Sequence, residues 1–279
     1  MIKFFRKIRQ KMLTENPPER THSVRAGKFS KYLLYAIGEI ILVVIGILIA
    51  LQVNNWNTDR INRNRVKQYA KSLVQDLSND IEMIEVSQFQ AKKSFQNIDS
   101  LRSYVSSIKP ENLSNTDLFI LSHDIMYRPY KWSRSTFDEM KNSEILQYFK
   151  NDSLKKKLIE YESFSNHLDE DFQGDQTNAT RADEIVSEIL DLNSPYFSQI
   201  RILENERFND PDLNIFKTEE YKKSKSNDLK LVSYKEEQLK KLTNVYIQIQ
   251  ESYRVRAFQE MERIKEDADE IIQLLKNES

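Results

Sequence analysis

The sequence contains one short acidic run whose residue types and spacing are close to those of a cation site: Asp169-x-Asp171-x-Gln173-Gly174-Asp175-x-Thr177. This spacing is similar to the opening of an EF-hand calcium loop, including the glycine at the sixth position. Position five is Gln173, and position twelve is Thr180, where calcium binding requires a bidentate glutamate. The same letters also describe an acidic helix surface that is broken by a glycine. We favour that second interpretation over calcium binding.

Other residues that could bind a metal or catalyse a reaction do not form a complete motif. The three histidines, His22, His123 and His167, are scattered, and only His167 lies near an acid on the same helix face, Asp171 at i+4. Two ligands do not make a metal site. The chain has no cysteine, which excludes thiolate zinc sites and cysteine nucleophiles, and it has no G-x-S-x-G, P-loop or H-E-x-x-H motif. We therefore expect no catalytic residue, no cofactor and no metal, and a protein that is not an enzyme.

Aromatic residues are concentrated between Phe119 and Phe149, and basic residues lie among them. The seven aromatics are Phe119, Tyr127, Tyr130, Trp132, Phe137, Tyr148 and Phe149. Aromatic and arginine side chains concentrate in binding hot spots, which suggests a recognition segment formed by Tyr127, Arg128, Tyr130, Trp132 and Arg134. The alternative, which we favour, is that these rings close one end of a bundle core.

A third set of residues lies on one face of an apolar helix: Ala36, Glu39, Val43, Gly46 and Ala50. Gly46 and Ala50 form a small-xxx-small pair that lets two helix backbones approach closely. On that face, Glu39 would find a partner in a second copy of the helix. The set therefore predicts self-association in a membrane. The alternative is that Glu39 extends to the lipid headgroups and that the small residues are incidental.

The helix that carries this face is the clearest element of the sequence. Tyr32 to Val53 is a run of 22 residues with 14 Leu, Ile and Val and one charge. At about 1.5 Å per residue it is long enough for a hydrocarbon core of about 30 Å. The apolar residues contribute roughly −4 to −8 kcal/mol to insertion, against about +3 kcal/mol for a central charge. We expect a transmembrane helix, with Tyr32, Tyr35 and Trp56 at its interfaces.

Apolar runs also occur in cleaved signal peptides and in buried core helices. A signal peptide is disfavoured because the run is long, begins about thirty residues into the chain, and lacks an A-x-A site. Orientation follows from nine Lys and Arg in residues 1–31, although further basic residues follow the helix. We expect a cytoplasmic N-terminus, with the acidic remainder of the chain on the other side of the membrane. The charge pattern argues against a nucleic-acid partner.

The rest of the chain shows helical periodicity and few turn residues, with 4 Gly and 6 Pro in total. Residues 2–13 predict a short basic amphipathic helix or a disordered tail. Apolar residues from Val66 to Val105 alternate at three and four positions, which predicts an amphipathic helix. Further helices are expected from Ser114 to about Met126, near a Thr136-x-x-Glu139 cap, and from Ser153 to Leu192 with a weak point at Gly174. Residues 195–216 are expected to be irregular.

The last helix has the clearest pattern in the soluble part of the sequence. Its stripe comprises Leu239, Leu242, Tyr246, Ile249, Tyr253, Ala257, Met261, Ile264, Ala268, Ile271 and Leu275. The mean step along this stripe is the 3.6 residues of a straight helix rather than the 3.5 of a sustained coiled coil. We therefore expect this helix to pack in a bundle with the earlier long helices.

Two stretches at the N-terminus resemble the signature of a bacterial membrane family, domain of unknown function 6090. They are MIKFFRKIRQKMLTEN at residues 1–16 and KFSKYLLYAIGEIILVVIGILIALQVNNWN at residues 28–57, with residues 17–27 as an insertion. Ser135 to Ser143 is similar to a weaker family pattern in which a glycine often follows, and Glu144 stands there. The resemblance implies an inner-membrane protein of Gram-negative bacteria with a helical extracytoplasmic part, and no known activity.

Together these observations predict an all-α protein in three parts. Residues 1–31 form a basic cytoplasmic tail, residues 32–53 a single transmembrane helix, and residues 54–279 an extracytoplasmic bundle of long antiparallel helices. The leading functional hypothesis is an interaction or scaffold module, with the lipid bilayer, an unidentified protein and a second copy as partners. The main alternative is a ligand-sensing module that signals through the anchor to a cytoplasmic partner.

Overall fold

A computed structural model describes residues 25–123, 125–206 and 213–278. Within these ranges the chain is helical and has no strand, which confirms the all-α prediction. The basic amphipathic helix predicted at residues 2–13, and His22, lie outside the described residues. The helices are α1 Arg25–Ser107, α2 Asn115–His123, α3 Ser135–Asn142, α4 Asp152–Ile189, α5 Phe197–Glu206, α6 Glu219–Ser226, α7 Glu236–Val255 and α8 Met261–Glu278.

Four short turns complete the secondary structure of the described residues. Three are 3₁₀ turns, at Pro110–Asn112, Ile145–Tyr148 and Ile215–Lys217. The fourth is a π-helical turn, Arg256–Glu260, which joins α7 directly to α8. The last predicted helix is therefore continuous from α7 through the π turn to α8, and we call it the C-terminal rod.

The chain divides into two units, Met1–Ile61 and Asn62–Ser279. In the first unit, the N-terminal part of α1 is long and apolar enough to cross a membrane. An 18-residue window in this helix has a mean hydropathy of 2.6, and none of that window is buried. Large apolar side chains such as Ile40 and Leu48 are more than half exposed. This segment is therefore not a core helix covered by the described part of its own chain.

The second unit is a bundle built on three long helices. Along α1, residue numbers increase while those of the contacted residues on α7–α8 decrease. The contacts are Glu85 with Lys265, Gln88 with Ala257, and Arg102 with Gln250. Contacts between α4 and α7–α8 follow the same order: Lys157 with Glu270, Asp171 with Arg256, and Asp175 with Ser252. The C-terminal rod therefore runs antiparallel to both α1 and α4, which confirms the expected bundle.

The apolar stripe of the last helix is buried at all eleven predicted positions. The spacing of this stripe differs from its mean of 3.6 residues in the interval that contains the π turn. From Ile249 to Met261 the stripe makes three consecutive steps of four, and the π turn lies in this interval. A wider turn keeps Tyr253, Ala257 and Met261 on the core side despite that spacing.

The π turn changes the backbone pairing, and a side chain compensates. The Met261 N–H donates to the carbonyl of Arg256 instead of that of Ala257. The Ala257 carbonyl instead accepts a hydrogen bond from Gln88 Nε2 at 2.8 Å. Because Gln88 is buried on α1, this bond satisfies a carbonyl that water does not reach. The π turn is thereby fixed against α1.

The predicted starts of two helices, α2 and α4, are partly confirmed. The Asp117 N–H donates to Ser114 Oγ at 3.1 Å at the start of α2, as the predicted cap requires. Helix α4 begins one residue earlier than predicted, where the Leu154 N–H donates to Asn151 Oδ1, and it continues through Gly174 without a break.

Two local predictions are wrong. The predicted Thr136-x-x-Glu139 cap does not form, because α3 already begins at Ser135 and the Glu139 carboxylate accepts from Tyr69 Oη at 2.9 Å. Residues 195–216 are not irregular throughout, since they contain α5. Phe197 and Ile200 are buried on one face of that helix, and Leu203 packs against the core beside them. Three positions over about two turns give a weak periodic signal.

Glu144 adopts a left-handed backbone conformation, with φ 55°. It ends α3, where glycine is the usual residue because it has no Cβ to clash. This is the position at which the weaker family pattern often has glycine. The conformation therefore supplies the physical reason for that glycine.

We predict that Glu144→Gly raises the free energy of unfolding by about 0.5–1 kcal/mol. The left-handed strain of a residue with a Cβ, about 1–2 kcal/mol, exceeds the extra chain entropy that glycine loses on folding. Urea unfolding of the full-length protein in detergent, followed by circular dichroism, measures this change. The matched control is Glu170→Gly at an exposed position inside α4, which should lower stability by about 1 kcal/mol. A loss of stability in both variants would contradict the strain at Glu144.

Candidate functional site

A buried arginine lies where α4 meets the π turn. The Arg256 side chain is 7 % exposed, and it contacts three carboxylates. Its Nη1 donates to Asp171 Oδ2 at 2.6 Å and to Glu260 Oε2, and its Nε donates to Asp175 Oδ2 at 3.3 Å. We call this set, with Tyr127, Ser252 and His167, the Arg256 centre.

Helical spacing places these groups opposite one another. On α4, His167, Asp171 and Asp175 follow at intervals of four and lie on one face. On the C-terminal rod, Ser252, Arg256 and Glu260 also follow at intervals of four, across the start of the π turn. Antiparallel packing of the two rods then brings the two rows into contact.

Electrostatics keep the centre charged although it is buried. Burial alone would lower the pKa of the Arg256 guanidinium, but the hydrogen bond to Asp171 and the charge of Asp175 raise it above its usual value. Arg256 is therefore a permanent cation among three acids. Removal of Arg256 would leave the buried Asp175 carboxylate without a counterion.

Asp175 is the most deeply buried acid of the centre, at 3 % exposed. Besides Arg256, it accepts hydrogen bonds from Tyr127 Oη at 2.6 Å and from Ser252 Oγ. Burial, the neighbouring Tyr130 and the Asp175 charge raise the pKa of the Tyr127 hydroxyl far above its usual value. Tyr127 therefore stays a neutral donor and links the aromatic segment to the centre.

His167 lies at the solvent edge of the Arg256 centre, with its side chain 48 % exposed. Its Nε2 is 3.1 Å from Asp171 Oδ2 and 3.4 Å from Glu260 Oε1. The His167–Asp171 pair is the one that the sequence suggested, and the structure adds Glu260 as a third potential ligand. Sequence spacing could not identify Glu260, because it comes from a helix almost ninety residues further on.

The acidic run of α4 does not form a calcium loop. Asp169, Asp171, Gln173 and Asp175 lie in continuous helix, so their side chains do not converge on one point. Asp169 accepts from Trp132 Nε1 at 2.8 Å and pairs with Arg134 at 2.7 Å. The break at Gly174 that the favoured interpretation included is also absent, since the helix is continuous there, and Asp175 is buried rather than at the surface.

The aromatic segment packs mainly inward. Tyr127 and Tyr130 are buried, Trp132 and Arg134 are half-buried, and Arg128 is exposed. The Tyr127 ring lies 5.3 Å from that of Tyr253 and 5.2 Å from that of Phe172, both in edge contact. Phe119 stacks on Phe197 at 3.8 Å, Phe137 and Phe149 are buried, and Tyr148 is exposed. This packing agrees with the core-closing role that we favoured, and the recognition role stays a prediction.

A cavity of about 30 Å³ lies beside Trp132, among α1, α3 and α4. Its wall includes Asp80, which is 3 % exposed and accepts hydrogen bonds from the Ser133 N–H and from Tyr161 Oη. Burial raises the pKa of Asp80, although both hydrogen bonds favour the charged form. The volume has room for one or two water molecules, and ligand pockets are typically about ten times larger.

The structure contains a second polar cluster, at the N-terminus of α2. Asp228 accepts from Ser114 Oγ at 2.5 Å, from the Thr116 N–H at 2.9 Å and from Thr116 Oγ1 at 2.8 Å. Asn115 exchanges two hydrogen bonds of 2.8 Å with the Asp191 backbone. These bonds satisfy the free N–H groups of a helix start and join α2 to the chain after α4 and α6. We interpret this cluster as structural.

Two sets of predicted residues remain. They are His123 and the face of the apolar segment formed by Ala36, Glu39, Val43, Gly46 and Ala50, which we call the membrane face. His123 lies 4.2 Å from the Phe119 ring, and burial together with Arg201 lowers its pKa to about 4, so it is neutral near pH 7. Ala36, Glu39, Val43 and Ala50 are exposed, and a Cβ added to Gly46 would meet no atom within 4 Å. Self-association through this face stays a prediction.

Comparison with known proteins finds a similarity to one family model and gives no activity. Residues 39–119 match the model of a family of unknown function, DUF6090, and the resemblance drawn from the N-terminal residues is confirmed there. The match covers residues 39–53 of the apolar segment, the rest of α1, and α2 as far as Phe119. It includes neither the weaker pattern at residues 135–143 nor the Arg256 centre. No curated protein and no solved structure matches the chain.

We predict that Arg256→Met lowers the free energy of unfolding by about 3–5 kcal/mol, because it leaves the buried Asp175 and the half-buried Asp171 without their cation. Urea unfolding of the full-length protein in detergent measures the loss. The matched control is Arg254→Met two residues away. Arg254 pairs only at the surface with Glu251, and its loss should cost at most about 1 kcal/mol. Equal effects of the two substitutions would contradict a buried, charged centre.

Proposed function

We propose that this protein is a membrane-anchored interaction module, which holds a helical domain at a bilayer surface for a protein partner. The observation that carries the proposal is the apolar segment of α1, which is long enough for a bilayer and is not covered by the described chain. Side chains of this kind are stable in lipid and unstable in water. An interfacial pair supports the same assignment, since the Arg60 guanidinium lies 5.7 Å from the centre of the exposed Trp56 ring.

The proposed location is the inner membrane of a bacterium, with the N-terminus in the cytoplasm and the bundle in the periplasm. Support comes from the nine Lys and Arg of residues 1–31, which favour retention of that end in the cytoplasm. A second copy of the chain is a further proposed partner, through Glu39, Gly46 and the other residues of the membrane face.

The proposed contact surface for a protein partner lies near the π turn. Val86, Phe89 and Phe258 are 44–50 % exposed, which is unusual for large apolar side chains beside a filled core. Lys92 lies over the Phe258 ring at 5.4 Å, and Lys93 over the Phe89 ring at 5.7 Å. We call this set the Phe89 patch. It suits a partner with apolar side chains bordered by carboxylates, because the two lysines place positive charge beside the exposed rings.

Ligand sensing is the weaker alternative. It would require a pocket lined by the aromatic segment, but the cavity beside Trp132 has only about 30 Å³. Tyr127 and Tyr130 are occupied in core contacts rather than lining an open site. The interaction module therefore has more support.

The absence of cysteine allows a direct test with single-cysteine variants in whole cells. We predict that Phe89→Cys, labelled with a membrane-impermeant photoreactive maleimide after outer-membrane permeabilisation, gives one discrete cross-linked band on irradiation. The control is Gln248→Cys, an exposed polar position on α7, which should be labelled equally and give no discrete band. Addition of Phe258→Ser to Phe89→Cys should weaken the band at least several-fold.

The outcomes separate the two parts of the proposal. If neither cysteine is labelled until the inner membrane is opened, the proposed orientation is wrong. If both are labelled but Phe89→Cys gives no band, or one that Phe258→Ser leaves unchanged, the Phe89 patch is not the contact surface.

A further inference from the structure

We propose that His167, Asp171 and Glu260 form a binding site for a divalent transition-metal ion of the zinc class, at the solvent edge of the Arg256 centre. The proposal is independent of the proposed function, because it concerns side chains of the bundle and no partner or membrane. It also departs from the sequence-based expectation of no metal, which rested on two ligands only.

The distances among the three side chains suit a small tetrahedral ion. One ligand atom from each of the three lies within 4.8 Å of the others. His167 Nε2 is 3.1 Å from Asp171 Oδ2 and 3.4 Å from Glu260 Oε1. Ligands bound tetrahedrally at about 2.0–2.2 Å from zinc lie roughly 3.3–3.6 Å from one another. The two rods therefore already hold the three groups near the spacing that an ion requires.

The donor set is also appropriate. An imidazole nitrogen with two carboxylate oxygens is typical of zinc and similar divalent ions, whereas magnesium and calcium prefer oxygen alone. Three protein ligands leave a fourth position for water or an external ligand. His167 is half-exposed, so that position faces solvent and an ion can enter.

Arg256 would act as the outer partner that orients these ligands. It binds Oε2 of Glu260, so Oε1 points toward His167. It also fixes the carboxylate of Asp171 through Oδ2. Arg256 is itself held by Asp175, which Tyr127 and Ser252 fix in turn. Hydrogen-bonded outer partners of this kind commonly orient metal ligands and strengthen metal binding.

The charge of the centre provides an independent argument. Asp171, Asp175 and Glu260 carry three negative charges against the one positive charge of Arg256, which leaves an excess of two negative charges among these four residues. Arg263, three residues after Glu260, lies over the Phe164 ring and pairs with Asp267. A divalent ion would bring the centre to neutrality. In addition, Glu260 is the last residue of the π turn, and such turns occur frequently at functional sites.

A simpler arrangement accounts for the same distances without an ion, since a His167 N–H can donate directly to Asp171. The two arrangements differ in their response to metal. We predict that metal-free full-length protein in detergent binds one Zn²⁺ per chain in isothermal titration calorimetry at neutral pH. His167→Ala and Glu260→Gln should each weaken binding at least about tenfold. The matched control is Glu170→Gln, the exposed neighbour of Asp171 on α4, which should leave the affinity unchanged.

A spectroscopic readout tests the coordination itself. Co²⁺ in place of Zn²⁺ should give the visible absorption of a tetrahedral site in the parent protein, and His167→Ala should lose it. Far-UV circular dichroism checks that each variant is folded, and His167→Gln replaces His167→Ala if the alanine variant is not. The proposal is overturned if Zn²⁺ gives no saturable heat with the parent, or if His167→Ala or the folded His167→Gln binds Zn²⁺ as tightly as the parent. Ca²⁺ binding that the histidine substitution leaves unchanged would equally overturn it.

Discussion

One constraint shapes the whole chain: an apolar helical segment of more than eighteen residues is not covered by the described part of its own protein. Each large aliphatic side chain left in water forfeits about 1.5–3 kcal/mol relative to a fully buried one. A run of such residues cannot persist in water as an isolated exposed helix, so something apolar must cover it. The proposed bilayer would meet this requirement along the segment, with Trp56 at its interface and Glu39 within the apolar run.

Within the second unit, the corresponding constraint is the buried charge of Arg256. The π turn satisfies the core spacing of the C-terminal rod and places Arg256 against α4, where it is 7 % exposed. A cation at that depth requires acids, and Asp171, Asp175 and Glu260 provide them. Those acids in turn fix Tyr127 and the aromatic segment behind it, and they leave Glu260 Oε1 directed at His167. Core packing, the polar network and the proposed metal site therefore depend on the same local widening of one helix.

The sequence predicts well whatever depends on periodicity alone. The apolar segment, the long amphipathic helices and the eleven buried positions of the last stripe follow from spacing, because burial of one face is the same physical requirement wherever the helix packs. The π turn itself was not predicted, because the mean step of 3.6 averaged over the three consecutive steps of four from Ile249 to Met261. The left-handed residue Glu144 was indicated indirectly, by the glycine that the weaker family pattern often has there.

Features that depend on which helices meet were not predictable. Glu260 joins His167 only after two distant rods pack antiparallel, and no spacing rule connects them. Asp228 caps the start of α2 from more than one hundred residues away. Helix α5 was missed because it is short and its core-facing side chains, Phe197, Ile200 and Leu203, cover only about two turns. The apparent calcium loop failed for the opposite reason, since its letters fit a local motif while α4 continued through them.

The most direct test of the account is the fate of the intact chain when cells are fractionated. The account predicts that the full-length protein sediments with membranes, resists extraction by alkaline carbonate, and enters the soluble fraction only with detergent. Recovery of the uncleaved chain in the soluble fraction without either treatment would contradict it. Recovery of a soluble chain shortened by removal of the apolar segment would contradict it as well.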